Sequence, residues 1–335
     1  MTWLQLALKT LIWTAVALAA SAVLTGCVSA RRTANAEAAY PPVGQFIEVD
    51  GARVHYVQQG SGPHVVLLHG AGGNLRDYTF DLMGRLTDRY TVTAFDRPGL
   101  GYTDRVPSVA KGALAVEGDA PQDQAALLRA AATELGITDP VVVGHSFGGI
   151  VAMAWATAGV EESSPVNASA VVSFAGVLMP WPGDLDTYYT LNGSRFGGAV
   201  IIPLISAFAP ADRVEGAIAG IFAPDPVPEG YVDYIGAPLA IRQETFRANV
   251  RQVNTLRPHV VEMTKVYPAL TLPIEIIHGT ADKTVPINVH PEELIKIVPS
   301  ANLTPLPGVG HMPHHADPEA AVAAIDRAVR RASLP

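Results

Sequence analysis

The sequence predicts an α/β protein: a mostly parallel sheet with helices on both faces and one inserted segment. Three observations carry that expectation. Short continuous apolar runs, such as Val65–Leu68 and Val141–Val143, have the composition of strands buried on both faces. Stretches with helical spacing of apolar residues lie between them. A glycine-flanked serine, in Gly144-His145-Ser146-Phe147-Gly148-Gly149, joins one such strand to the helix that follows.

The elements follow in chain order. Thr10–Ala30 is a run of 21 residues without a charge, preceded by Lys9 and ending in Leu24-Thr25-Gly26-Cys27. A short positive start, an apolar stretch and small residues at its end describe a secretory signal. Those last four residues resemble the lipobox of bacterial lipoproteins, in which the thiol takes lipid and the chain is cut just before it. Cys27 is therefore the expected lipid attachment site. The same run is long enough to remain as a membrane-spanning helix flanked by Arg31-Arg32, and free secretion is the third outcome. Each places the body outside the cytoplasm, and the first two anchor it in a bacterial cell envelope. Residues 1–30 are thus a signal or anchor segment, and residues 31–44 an alanine-rich, solvated tether ending at Pro41-Pro42. The glycosylation patterns at Asn167, Asn192 and Asn302 are read as chance.

Phe46–Val49 and Arg53–Gln58 read as an antiparallel pair joined through Asp50-Gly51. Strand Val65–Leu68, a helix over Arg76–Asp88 and strand Thr91–Phe95 follow. A helix over Ala120–Leu135 has Asp119 as its expected cap and Pro121 near its start. Then come strand Val141–Val143, a small-residue helix Ile150–Thr157 and strand Val171–Phe174. Residues 177–260 break the rhythm, being rich in proline and aromatics without a clear strand, and read as an irregular lid. Alternation returns with strand Ile274–Ile277, helix Glu292–Ile297, strand Leu303–Leu306 and a last helix from Pro318 capped by Asp317. The core is thus residues 45–176 and 261–335.

Composition narrows the function. Apolar residues make up 49% and charged residues 16%, which excludes global disorder. A formal charge of −8 with no basic block argues against a nucleic-acid partner. A single cysteine excludes an intrachain disulfide and a multi-cysteine zinc site.

The chemistry concentrates around Ser146. A sharp strand-to-helix turn lifts its hydroxyl clear of the sheet, and the helix behind it aims backbone N–H groups at any oxyanion. Such a hydroxyl needs a base, and the base an orienting group. His311 lies in a loop after the last expected strand, and Asp282 in the loop after the strand before it. The order Ser, Asp, His, each at the carboxyl end of a strand, is where active sites collect in open α/β sheets. His311, His314 and His315 could instead be a metal cluster, although no carboxylate-rich companion is evident.

Four motifs in this order resemble the α/β-hydrolase superfamily, in its lid-bearing branch of esterases and C–C bond hydrolases. They are His69-Gly70-Ala71-Gly72-Gly73, Phe95-Asp96-Arg97-Pro98-Gly99-Leu100-Gly101, the Ser146 turn, and the Asp282 and His311 loops. The resemblance covers about residues 45–332 and implies the α/β-hydrolase fold. It implies Ser146 as nucleophile, His311 as base and Asp282 as orienter. It implies an oxyanion hole from the Phe147 and Ala71 amides, with Gly72 as alternative donor and His69 as buttress. His145, Asp96 and Arg97 are expected to be structural, and Tyr188, Tyr189, Phe196, Trp181 and Phe222 to be core or substrate wall. Serine at the turn disfavours the dehalogenases and epoxide hydrolases of this superfamily, which carry aspartate there.

The expected activity is hydrolysis of a small-molecule carboxylic ester through an acyl-enzyme, with no metal or organic cofactor. One alternative is C–C bond hydrolysis on the same triad, for which Arg195, Arg213, Arg242 and Arg247 could bind a second carboxylate. Another is a non-catalytic binding protein on a hydrolase scaffold. Nothing in the sequence addresses the oligomeric state.

Overall fold

The computed structural model describes residues 2–161, 164 and 166–333. At its centre is an eight-stranded sheet in the order β1-β2-β4-β3-β5-β6-β7-β8. β1 (Gln45–Val49) and β2 (Ala52–Gln59) pair antiparallel, and β2 pairs antiparallel with β4 (Thr91–Phe95). β3 (His64–Leu68), β4, β5 (Val141–His145), β6 (Ala170–Phe174), β7 (Ile274–Gly279) and β8 (Ala301–Leu306) run parallel. The strand order turns back at β3, so the carboxyl ends of β3 and β5 border the crevice where such sheets bind ligands.

Alternation of side chains assigns the two faces. Val66 and Leu68 join one core layer with Leu128 and Trp155. Val65 and Leu67 point the other way, into a layer with Leu82 and Ile325. Each of these side chains is fully buried, which stabilises the fold by about 1.5–3 kcal/mol apiece before entropy is counted. The first layer is covered by α3 (Pro121–Glu134) and α4 (Phe147–Glu161), the second by α14 (Pro318–Ala332). The expected cap of α14 is present, with Asp317 accepting from the Ala320 amide at 2.9 Å.

Four expectations need correction. Only Arg76–Thr79 forms a helix, α2, in the 76–88 stretch. The rest continues in three-residue turns, such as Gly84 N to Asp81 O and Leu86 N to Met83 O. Asp119 does not cap α3; its carboxylate takes Arg105 at 2.9 Å and the Val106 amide at 3.0 Å.

The 177–260 segment is mostly helical: α5 (Thr187–Gly193), a π turn at Gly197–Ile201, α6 (Ile202–Phe208), α7 (Ala211–Phe222), α8 (Tyr231–Ile235), α9 (Ala237–Ala240), α10 (Gln243–Asn254) and, running past residue 260, α11 (Leu256–Thr264). Pro180, Pro182, Pro224, Pro226 and Pro228 do lie outside the helices, while Pro203 of α6 and Pro238 of α9 sit in first turns, where a missing N–H costs nothing.

The fourth correction concerns the tether. Residues 31–39 continue the N-terminal helix α1 (Trp3–Ala39). Alanine-rich sequence favours helix, and this part is docked on the insertion. Ala36 is buried, and Arg32 donates to Ala207 O at 3.0 Å and Ala209 O at 2.8 Å. Glu37 pairs with Arg242 at 2.7 Å. Two short helices, α12 (Pro291–Ile297) and α13 (Pro313–Ala316), complete the chain.

Candidate active site

β5 ends at His145 and α4 begins at Phe147, so Ser146 alone makes the turn. Its φ is +50°, a left-handed conformation that costs a non-glycine residue about 1 kcal/mol or more. The glycines make the turn possible. A Cβ on Gly144 would lie 2.1 Å from Gly148 O, and one on Gly148 would lie 2.0 Å from Leu68 O.

Three residues 29 to 165 positions apart meet here. His311 Nε2 lies 3.0 Å from Ser146 Oγ, and His311 Nδ1 lies 2.7 Å from Asp282 Oδ2. Asp282 leaves the end of β7 and His311 follows β8. The two loops touch because residue 279 is glycine; a Cβ there would sit 2.1 Å from Val309 O. Burial pushes the Asp282 carboxyl up. Hydrogen bonds from His278 and His311, the charge of His311 and the Val285 amide outweigh that and hold it well below the usual carboxylate range. Asp282 is therefore ionised at neutral pH. Its other oxygen accepts the Thr284 and Val285 amides at 2.8 and 2.9 Å, which fixes its orientation.

Among the described residues, the amides of Ala71 and Phe147 make no hydrogen bond, whereas Gly72 does. Its amide donates to Asn249 Oδ1 at 2.7 Å, so Gly72 is not a spare donor as the sequence suggested. His69 buttresses this loop. Its Nδ1 lies 2.9 Å from Gly70 O and its Nε2 accepts the Arg97 amide at 2.9 Å. Burial, then the Arg97 guanidinium, lowers its pKa to about 4, so the ring is neutral. Arg97 lies 4.4 Å over the Phe147 ring and donates to His69 O and Gly70 O. Asp96 accepts the amides of Leu75 and Tyr102. Both residues thus hold loops together.

The histidines of the 311–315 run do not converge on one point. His311 is engaged by Ser146 and Asp282, while His314 and His315 turn to Asp77 at 3.2 and 2.8 Å. Tyr231 of α8 also donates to Asp77, at 2.7 Å. Burial raises the Asp77 carboxyl, but His314 and His315 dominate and hold it well below its ordinary value. His145 Nε2 donates to His311 O at 2.9 Å, and burial together with His314 and His311 keeps its ring neutral. Asp77, His145 and His314 hold atoms of metal-ligand type within 4.8 Å of one another. All three already have hydrogen-bond partners, His314 on Asp77 and His145 on His311 O.

A cavity of about 580 Å³ opens between sheet and insertion, lined by Ala71, His145 and Met312 below and by Tyr189, Ile218 and Phe222 above. Tyr188 also faces it, whereas Phe196 is exposed on the outside and Trp181 packs near His290. Of the four arginines considered for a second carboxylate, Arg213 reaches the cavity. Arg247 is spent on Asn192 O and Ala115 O, Arg242 on Glu37 and Gly101 O, and Arg195 does not line it. Among the described residues these four arginines do not converge on the cavity. The sequence reading missed Asn249 and Asp77, which carry no local motif, and His278, which lies 3.3 Å from Asp282.

Known proteins place this architecture. A curated but uncharacterized protein of Mycobacterium tuberculosis is 28% identical over 296 residues, covering 86% of this chain and 81% of its own. A solved thermophilic esterase from Thermogutta terrifontis superposes with TM-score 0.65 at 19% identity, covering 87% of this chain and all of its own. An enol-lactonase from Burkholderia xenovorans does so with TM-score 0.66 at 15% identity, covering 85% and 100%. The model of the alpha/beta hydrolase family matches residues 65–325, so the strand order, the glycine-framed serine turn and the sequence agree that this chain belongs to the alpha/beta hydrolase family.

Proposed function

We propose that the protein is a serine hydrolase that cleaves carboxylic esters through an acyl-enzyme. The observation that carries this reading is the unbroken chain Ser146 Oγ to His311 to Asp282, at 3.0 and 2.7 Å. His311 takes the proton of Ser146 as its oxygen attacks the ester carbonyl carbon. Negative charge gathers on the carbonyl oxygen and is met by the Ala71 and Phe147 amides. His311, now an imidazolium stabilised by ionised Asp282, passes its proton to the departing alkoxide. Water then enters by the same route: His311 accepts its proton, hydroxide attacks the acyl carbon, and Ser146 leaves with the proton restored.

Solved neighbours described as an esterase and an enol-lactonase support an ester-type bond as the target. The cavity walls that the insertion supplies, beside His145, Ala71 and Met312, support reading that segment as a lid over the site. The N-terminal helix, long and apolar enough to cross a membrane, we read as the anchor of a cell-envelope protein. The lipobox reading places lipid on exposed Cys27; mass spectrometry of the N-terminus separates a lipidated Cys27 from an intact Met1. For the chemistry, short-chain nitrophenyl esters are turned over by the wild-type chain and not by Ser146→Ala. Equal turnover by both removes the proposal.

A further inference from the structure

Thr187–Pro210 carries one charge, Arg195, and no acid. Its two helical pieces, bent by 82°, are together apolar enough to pass for a broken membrane span. One side of the segment has partners: Ile202 packs with Phe246 and Val250, and Tyr189 and Ile205 line the cavity. The other side is just as apolar and stands largely exposed among the described residues. Phe196, Val200, Leu204 and Phe208 recur every four residues and are 59%, 40%, 45% and 52% exposed. A helix facing water normally turns a polar side to it, and one apolar all round is covered by something.

The neighbour of this stripe says what covers it. α1 packs along α6, through Arg32 to Ala207 O and Ala209 O. Thr25 is the first buried residue of α1; before it the helix stands exposed with Trp3, Leu11, Trp13, Leu18 and Leu24 on its surface. A bilayer that receives this part of α1 therefore begins where α1 leaves the body, beside α6. Lipid on Cys27 would set the bilayer at the same edge. Arg195, next to Phe196, suits an anionic headgroup there.

We propose that the Phe196–Phe208 stripe lies against the lipid bilayer beside α1, and that the cavity takes its ester from that bilayer as a membrane-borne acyl lipid. One segment is both cavity wall and lipid face, so an acyl chain crosses from bilayer to Ser146 without entering bulk water. The substrate half of this proposal rests on the ester-hydrolase reading; the lipid contact does not.

The test uses the full chain with Cys27→Ser, reconstituted in phosphatidylcholine–phosphatidylglycerol vesicles, with a nitroxide on Leu204→Cys or, as control, on exposed Glu215→Cys of α7. At position 204 the label is expected to collide with oxygen and to be shielded from a water-soluble nickel chelate, whereas position 215 meets nickel. Equal nickel access at both positions overturns the lipid contact. Shielding from both reagents with spin–spin broadening overturns it in favour of a second copy of the chain. A second arm compares Phe196→Asp/Leu204→Asp with wild type. Turnover of a vesicle-embedded long-chain ester falls about tenfold or more, as for charge placed at a lipid face, while a water-soluble short ester is unaffected. Equal losses on both esters, or none, overturn the route. If the wild type cleaves neither ester, the hydrolase reading fails, while the nitroxide result still decides the contact.

Discussion

Asn249 on α10 accepts the Gly72 amide at 2.7 Å, tying the insertion to the loop that carries the Ala71 N–H. Gly72 turns there with φ +65°, so under the proposed mechanism Asn249 is a positioning residue for the oxyanion donor at Ala71. Asn249→Ala is expected to lower kcat by about 10- to 100-fold with little change in KM, somewhat less than losing an oxyanion donor itself. Asn249→Asp keeps the acceptor oxygen but sets a negative charge near the developing oxyanion, so it recovers only part of the rate. Steady-state kinetics of both variants check this, and an unchanged kcat in the alanine variant contradicts it.

Asp77 gathers Tyr231 of the insertion with His314 and His315, which follow His311 by three and four residues. Replacing it with asparagine leaves three donors around a weaker acceptor in a buried site. Asp77→Asn is expected to lose about 3 kcal/mol of stability, read by denaturant unfolding. Because this cluster is held by hydrogen bonds, dialysis against a chelator leaves ester turnover unchanged; a loss on chelation that zinc restores would revive a metal at Asp77, His145 and His314.

How much of this was legible beforehand follows sequence distance. Ser146, Asp282 and His311 each sit in a short motif at a strand end, so the order of strands sufficed to bring them together. Asn249 and Gly72 are 177 positions apart, and neither residue type announces the other. The stretch 31–39 reads as tether because it is alanine-rich and only weakly amphipathic; its docking depends on Arg32 finding carbonyls at Ala207 and Ala209, which no local pattern reveals. In the insertion the helices are short and separated by prolines such as Pro224, Pro226 and Pro228, so no single apolar period runs long enough to announce them.

Acid sensitivity has a defined window. His69 and His290 are each lowered from 6.5 to about 4, both chiefly by burial, with the Arg97 and His278 charges respectively adding to it. Between those values the unfolded chain binds protons that the folded chain refuses, so this stability is present above pH 6.5 and is lost as pH falls toward 4. The slope reaches about 1.4 kcal/mol per pH unit for each histidine. Unfolding midpoints measured across this range are expected to fall steadily; a flat profile down to pH 4 contradicts the buried neutral rings.

Asp282→Asn preserves the shape of the site but offers His311 a donor where it needs an acceptor, favouring the wrong tautomer. The expected loss in kcat is on the order of 10⁴, as in the proteases that define this arrangement. His314→Ala, outside the Ser146–His311–Asp282 chain, is expected to cost far less in kcat. Similar losses in the two variants contradict the assignment of roles.

The most direct measurement is covalent. A fluorophosphonate, which reacts with an activated serine hydroxyl, is incubated with the full chain, and the modified peptide is identified by mass spectrometry. The account predicts one adduct, on Ser146, abolished by Ser146→Ala and greatly slowed by His311→Ala. An adduct on another serine, or labelling of Ser146 that ignores the loss of His311, would contradict it.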